Sequence, residues 1–462
     1  MTVYDITIVG AGVVGTAIAR ALSRYDLSVA LVDGARDVGE GTSKANTAIL
    51  HTGFDAKPGT LESQLVRRGY ELLGDYADRT GIPVERTGAV LVAWTEQELA
   101  DLPGLRSKAV DNGYDRCELL TAAQVYEMVP SLGPGALGGL SVPDESIICP
   151  WTPSVAFATE AVANGVTLLL GHEVTGVGTG DDGTTRLHTG RGEITTRWLV
   201  NAAGLGADVL DRALGHDRFT VTPRRGQLLV FDKLARGLVD TIVLPVPSKL
   251  GKGVLVSPTV YGNVMLGPTA EDLDDKRATG TTGDGFEFLR TKGERLVPAL
   301  FEEEVTTAYA GLRASIDHGD YLITLDPDRR YLLVGGIRST GLTASMGIAE
   351  WIEDMLHESS GITLDKKADV AAPPRMPMIG EAQPRPYRRG DLISADPAYG
   401  EIVCFCERVT AGEIRDALHT PVPATDRAGL ARRTRATNGR CQGFYCGAEV
   451  DARLTQNTGA AS

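Results

Sequence analysis

The chain lacks any run of about 18 apolar residues, so no segment reads as a membrane-spanning helix. It also lacks an excess of positive charge: 46 Lys and Arg stand against 60 Asp and Glu, a formal net charge of −14. That balance argues against nucleic acid or an anionic membrane surface as the main partner. Cysteine is scarce, six in 462 residues, too few for a disulfide framework. No basic, apolar and small-residue leader pattern precedes the first strand-like segment, so a cytoplasmic location is expected, with docking on the inner face of the membrane through a partner left open.

What is present is length and local concentration of particular residues. A chain of 462 residues exceeds one typical core and calls for two or more domains. Cys117 and Cys149 are isolated and read as buried apolar residues. The other four cysteines fall into two tight pairs, Cys404-Phe405-Cys406 and Cys441-Gln442-Gly443-Phe444-Tyr445-Cys446. In a reducing compartment such clustering points to metal ligation rather than disulfides.

At the other end, Asp5 to Val9 is an apolar, β-rich run followed by Gly10-Ala11-Gly12-Val13-Val14-Gly15 and a helical pattern through Ala17, Ile18, Ala21 and Leu22. A second strand, Ser28 to Val32, ends in Asp33, about 20 residues beyond the glycines, where an acid accepts hydrogen bonds from a ribose hydroxyl. Gly10 permits a tight turn, Gly12 lets the backbone approach a pyrophosphate, and Gly15 allows close packing of helix on strand. The helix N-terminus then offers its N–H groups to the anion.

This fingerprint serves flavin and nicotinamide alike, and the downstream segments separate them. The loop Glu40 to Gly53, containing Thr42, Ser43, Lys44, Asn46, Thr47 and His51, is polar and small enough to wrap a diphosphate and reach a flavin ring. A later strand, Trp198 to Gly204, ends in Asn201-Ala202-Ala203-Gly204, with a helix expected from about Ala207. Another, Tyr331 to Val334, is followed by Gly335-Gly336-Ile337 and by Gly341-Leu342-Thr343 at the start of a helix reaching about Glu358. Such a helix N-terminus favours negative charge on a reduced flavin.

These segments resemble the FAD-dependent oxidoreductases of the D-amino-acid-oxidase and glycerol-3-phosphate-dehydrogenase superfamily over about residues 3 to 360. The resemblance implies FAD, contacted by Gly10, Gly12, Val13, Val14, Gly15, Asp33, Thr42, Ser43, Lys44, Asn46, Thr47, Val174, Ala203, Gly204, Gly336, Ile337, Gly341, Leu342 and Thr343. It also implies an α/β fold in which a Rossmann-like FAD-binding domain is interleaved with an antiparallel-sheet substrate domain. Strand-like stretches for that sheet occur at Ala89 to Trp94, Gly226 to Asp232, Gly253 to Ser257 and Asn263 to Gly267. Residues 1–370 are expected to form this unit, 371–400 a proline-rich linker crossing its surface, and 401–455 a small helical domain.

That last segment is short for an independent core, which a metal centre would offset. Thr410-Ala411-Gly412-Glu413 has the capping-box form and opens a helix through Ala417; further helices are expected over Thr425 to Thr434 and from near Cys446. Structural zinc favours pairs with two to four intervening residues, so C-x-C followed at a distance by C-x4-C favours an iron–sulfur cluster, with zinc the alternative. Arg432, Arg433, Arg435 and Arg440 crowd the second pair as a counterweight to its negative charge. The stretch looks like the [2Fe-2S] domain shared by bacterioferritin-associated ferredoxin and the C-terminal region of the anaerobic glycerol-3-phosphate dehydrogenase catalytic subunit. Its ligands would be Cys404, Cys406, Cys441 and Cys446.

Two residues stand out for chemistry. Arg313, in Tyr309-Ala310-Gly311-Leu312-Arg313, matches a superfamily arginine that holds a substrate phosphate or carboxylate, a task suited to a bidentate guanidinium. His51 could reach the flavin edge as general base or orienting group. His318 and Arg225 are weaker candidates. Ala314 replaces the proline that follows the arginine in the glycerol-3-phosphate enzymes. The expected activity is oxidation of sn-glycerol 3-phosphate or a similar small anionic alcohol, with electrons leaving through [2Fe-2S] to a protein or quinone-linked acceptor. Oligomerisation and a membrane-anchor partner are compatible with this reading. An L-2-hydroxyacid or secondary-amine dehydrogenase is the alternative within enzymes, and a non-catalytic electron-transfer protein the alternative outside them.

Overall fold

The strand Val3–Val9 is buried on both faces along its second half, the pattern of a strand covered by helices on either side. In the computed structural model, which describes residues 2–180, 182–247, 253–377, 379–381 and 383–459, it lies within an eight-stranded sheet. Val29–Asp33 and Gly192–Asn201 flank it in parallel. Thr167–Leu170 extends the parallel run on one side and Tyr331–Gly335 on the other. Helix Val13–Leu22 packs against Thr152–Ala163 and Gly341–Ser359, and the last of these against Leu61–Thr80. The carboxyl ends of the parallel strands carry Gly10, Asp33, Ala202 and Gly336, which is where this architecture opens a ligand crevice.

The predicted strands of the second domain all enter one nine-stranded sheet, as Ala89–Ala93, Thr222–Phe231, Leu255–Pro258 and Val264–Gly267. One pairing departs from the antiparallel expectation: Ile242–Pro245 runs parallel to Ala89–Ala93. The two segments are separated in sequence by strands of the first sheet, so no hairpin joins them and nothing imposes reversal. Val305–Ser315 lines up along Thr222–Phe231 over nearly its whole length.

The C-terminal segment has its own small core of Val403, Val409, Ile414, Leu430, Ala436 and Val450, with no aromatic residue in it. Its helices are Ala411–Leu418, Arg427–Thr434 and Gly447–Gly459. The predicted capping box is formed, with Glu413 N donating to Thr410 Oγ1 at 3.2 Å and Thr410 N to Glu413 Oε2 at 2.9 Å. The preceding proline-rich stretch is pinned to the larger body by bonds from Met376 N to Thr80 O and Glu381 N to Val260 O, following a bridge from Lys366 to Tyr25 just before it begins. It then forms short helical turns at Pro386–Arg388, Gly390–Ala395 and Pro397–Tyr399, each too brief to show periodicity in sequence. Among the described residues no helix is long and apolar enough to cross a membrane.

Candidate active site

The glycine turn after the first strand leaves no room for a side chain. Gly10 has φ +110°, and a Cβ there would lie 2.3 Å from the Ala202 carbonyl oxygen, so the turn abuts the segment carrying Ala203 and Gly204. Asp33 closes the same turn: its Oδ2 accepts from Ala11 N at 2.6 Å and its Oδ1 from Ala35 N at 2.8 Å. His172 N donates to the Asp33 carbonyl and Glu173 packs on Gly34, which brings Val174 alongside.

Two helices point uncapped N-termini into this region. Gly12 precedes Val13–Leu22 and has no side chain to cap it; the nearest acceptor comes from elsewhere, Ser43 Oγ, 2.9 Å from Val13 N. Val14 and Gly15 lie in the first turn of that helix, and Lys44 follows Ser43 on the loop. Thr340 precedes Gly341–Ser359 without capping it, its hydroxyl being engaged with Glu62 and Tyr321. Gly336, Ile337, Gly341, Leu342 and Thr343 lead into this second terminus. Two positive helix ends, a ribose-ready acid and a lysine suit a dinucleotide diphosphate and an anionic ring.

The loop of residues 40–53 connects the cofactor crevice to the second sheet. Asn46 shapes it through Nδ2 to Ser43 O at 2.8 Å and through Oδ1, which accepts from Ala48 N at 2.7 Å on the far side of Thr47. Thr42 Oγ1 donates to Leu312 O at 2.7 Å, and Tyr309 Oη donates to Asn46 O at 2.8 Å. A Cβ at Gly311 would stand 2.2 Å from the Ala45 carbonyl oxygen, so the Val305–Ser315 strand lies directly on the loop. Arg313 is thereby held at a fixed offset from it.

Arg313 is largely enclosed, and its Nη2 donates to Thr269 O at 2.6 Å. Among the described residues no carboxylate forms an ion pair with it. Burial depresses its pKa, the neighbouring Arg224 adds to that, and Asp272 opposes it. Arg225 differs from Arg313 in already having a carboxylate: its guanidinium is bound to Glu271 at 2.5 Å and to Gly280 O at 2.9 Å, so its charge is neutralised within the protein. His318 is exposed and engaged with the backbone of the Asp320 turn rather than with Arg313.

His51 is anchored from two directions. Its N donates to Thr343 Oγ1 at 3.0 Å, and its ring Nδ1 lies 3.2 Å from Glu145 Oε2. Glu145, 1% exposed, accepts through its other oxygen from Thr52 N and Thr52 Oγ1 at 2.7 and 2.8 Å. A carboxylate so placed orients the imidazole with Nδ1 donating, which leaves Nε2 as the proton acceptor. Glu145 was not a candidate in the sequence; 94 residues separate it from His51, and no motif joins them.

Cys406 neighbours Cys441 and Cys404 neighbours Cys446, while among the described residues no three or more His, Cys, Asp or Glu side chains are drawn together as a closed metal site. Backbone N–H of Tyr445 draws the Cys441 thiol below its ordinary value against the effect of burial, aided by the Cys406 thiol and the N–H groups of Gly443 and Phe444. Burial, and the Cys404 thiol beside it, push Cys446 up to about 11. Two thiols for each of two irons is the ligand set of a [2Fe-2S] cluster, and a pairwise arrangement of the four fits it.

The neighbouring arginines dock the domain, and Arg440 also acts electrostatically on Cys406, as the sequence suggested. Arg432 and Arg433 bind Asp37, and Arg440 binds Asp232. Arg435 binds Glu407 and lies over Tyr261, 4.1 Å from the ring centroid, in a stack that continues to Trp151. Trp151 Nε1 in turn donates to Lys44 O at 3.0 Å.

Residues 5–355 match the family model described as FAD dependent oxidoreductase, and residues 402–456 match that of the BFD-like [2Fe-2S] binding domain. A glycerol 3-phosphate dehydrogenase of Caloramator mitchellensis is 37% identical over 461 residues, covering 99% of this chain and 95% of that protein. One of the subunits of the anaerobic glycerol-3-phosphate dehydrogenase of Escherichia coli K12 is 27% identical, over 96% of this chain and 86% of its own. Among solved structures, dithionite-reduced L-alpha-glycerophosphate oxidase from Mycoplasma pneumoniae with FAD bound superposes with TM-score 0.75 at 31% identity, covering 80% of this chain and 98% of that one. The chain therefore belongs to the FAD dependent oxidoreductase family, an FAD enzyme that also carries a BFD-like [2Fe-2S] binding domain.

Proposed function

We propose that this protein is a dehydrogenase for sn-glycerol 3-phosphate or a similarly small anionic alcohol, and that its electrons leave through the cluster to a protein or quinone-linked acceptor. The observation that carries the substrate class is Arg313: an enclosed guanidinium with no carboxylate ion-paired to it among the described residues is a cation prepared for an incoming anion. The relatives named glycerol 3-phosphate dehydrogenase narrow that anion to a phosphate.

The residues proposed to hold FAD are those around the two helix N-termini, with Asp33 at the ribose and Ser43, Lys44, Asn46 and Thr47 along the diphosphate and ring. Bound FAD supplies the acceptor for the substrate's hydride. Arg313 fixes the phosphate end of the substrate, so its carbinol carbon is presented from a constant distance. His51 Nε2 removes the hydroxyl proton, and Glu145 positions the ring and stabilises the imidazolium that forms. Water is kept from the reacting carbon by the second sheet, whose strand Val305–Ser315 is bolted to the loop before His51.

Cys404, Cys406, Cys441 and Cys446 are proposed as the cluster ligands. Phe405, Phe444 and Tyr445, which lie between or beside them, are 74%, 84% and 79% exposed. Apolar rings left in water next to a redox centre suit a protein acceptor docking there. The E. coli relative is named as one subunit of its enzyme, which supports delivery to a partner subunit; a partner that holds the protein at the inner face of the membrane is part of the same proposal.

Anaerobic mixing with single substrates tests the reading. Glycerol 3-phosphate should bleach the flavin and then reduce the cluster. Bleaching by L-2-hydroxyglutarate or a secondary amine instead would replace it, and no bleaching by any of them would favour a non-catalytic electron-transfer role.

A further inference from the structure

The iron–sulfur domain grips the larger body at an unexpected place. Asp37 is 1% exposed, and its carboxylate is shared by two buried arginines of the C-terminal domain. Arg433 donates from Nη1 to Oδ2 at 2.7 Å and from Nη2 to Oδ1 at 2.8 Å; Arg432 Nη2 donates to Oδ2 at 2.6 Å. Val38 N completes the set at 2.8 Å. Nearby, Thr425 Oγ1 donates to Arg36 O at 3.3 Å, and Asp426 and Arg432 both act on the charge of Lys44.

Asp37 sits midway along the arc from Asp33 to Lys44. The arc wraps the glycine turn and is tied to it at both ends and in the middle: Ala11 N to Asp33, Gly39 N to Ala11 O, and Val13 N to Ser43. Its inner side is the surface assigned above to the adenosine diphosphate half of FAD. Its outer side is covered by the Arg427–Thr434 helix. Every cation paired with Asp37 among the described residues comes from that helix. With the helix in place but its two guanidinium charges removed, a buried carboxylate would be left uncompensated, and the arc would have to shift to hydrate it.

We propose that the iron–sulfur domain is also a cofactor-retention element: Arg432 and Arg433, acting through Asp37, hold the 33–44 arc closed on FAD. The two arginines are positioning residues that touch neither cofactor. Coupling is reciprocal, so FAD in the crevice also strengthens docking of the cluster domain. The proposal rests on FAD occupying this crevice and is independent of which alcohol is oxidised.

The test uses full-length, cluster-loaded protein carrying Asp37→Asn, and separately Arg432→Gln with Arg433→Gln. The readout is FAD affinity, followed by recovery of flavin fluorescence on dilution, with cluster absorbance recorded in the same sample. Weakening of FAD by at least about tenfold, within the range of ordinary coupling between sites, is expected with cluster absorbance retained. Arg440→Ala, which removes a docking contact to Asp232 away from the arc, should leave FAD affinity at the wild-type level. FAD affinity within about twofold of wild type in both arc variants, well below the ordinary coupling range, would overturn the proposal, as would an equal loss in Arg440→Ala. Should Asp37→Asn not fold, the arginine pair gives the same reading, and substrate-dependent bleaching of the FAD still bound keeps the assignment of substrate separate.

Discussion

Arg224 and Arg313 stand opposite each other on paired strands, and of the two Arg224 is the one bound to a carboxylate. Asp272 meets it with both oxygens, at 2.6 and 2.8 Å, and is thereby withdrawn from Arg313. The arrangement keeps one guanidinium neutralised at the surface and leaves the enclosed one to be neutralised by substrate. Arg313→Ala should lower kcat/KM for glycerol 3-phosphate by about 100-fold, the scale of losing charge-assisted hydrogen bonds. FAD content should stay unchanged. Steady-state kinetics beside flavin absorbance checks both, and Arg313→Lys should recover only part of the loss.

The His51–Glu145 pair makes a kinetic prediction. His51→Gln should cut kcat by about 100-fold to 10,000-fold, the usual contribution of a positioned base. Glu145→Gln should cut it by less, because the imidazole keeps its acceptor nitrogen and loses only the carboxylate that orients it. Steady-state kinetics on the three proteins, with FAD content recorded beside them, separates these outcomes.

Cluster and rings make separable predictions. Cys441→Ser should abolish the cluster's visible absorbance while substrate still bleaches the flavin, so turnover with a partner or quinone acceptor falls and single-turnover flavin reduction does not. Phe444→Ser with Tyr445→Ser should keep the cluster and slow only electron delivery to a protein acceptor. A small dye acceptor should be unaffected.

Asp37 gives an acid-stability prediction. Burial raises its pKa, but the hydrogen bonds and charges of Arg433 and Arg432 outweigh that and hold it below 3.8. A depressed carboxyl stabilises the folded form above its unfolded value and loses that contribution as pH falls through its folded value. The difference in thermal stability between wild type and Asp37→Asn should therefore be constant from neutral pH down to about pH 5 and shrink below about pH 4. At neutral pH, breaking a buried pair of this kind costs about 3–5 kcal/mol. Calorimetry across that range checks the sign.

The cofactor crevice was legible because its signals are local: Gly10 to Gly15 and Asp33 lie within one strand–turn–helix–strand unit, and the thiol pairs are each a few residues long. The capping box at Thr410 was readable for the same reason. Relationships across the chain were not. Asp37 and Arg433 are 396 residues apart, so a run of arginines near cysteines suggested charge compensation of the cluster and gave no sign that it also docks a domain. Glu145 carried no pattern at all; its role exists only because the second sheet returns it to His51. Arg225 resembled an anion ligand until Glu271, on a strand too short to recognise, was found bound to it.

The stretch that joins the two domains is bonded to the larger body at Met376 and Glu381 and to the iron–sulfur domain from Arg385 and Tyr399. The tethered domain is thereby kept near its docking site, at high effective concentration. Electron transfer between the two centres is thus a first-order event, unaffected by dilution of the enzyme. Dependence on protein concentration enters only at the next exchange, where Phe444 and Tyr445 meet whatever takes the electrons away.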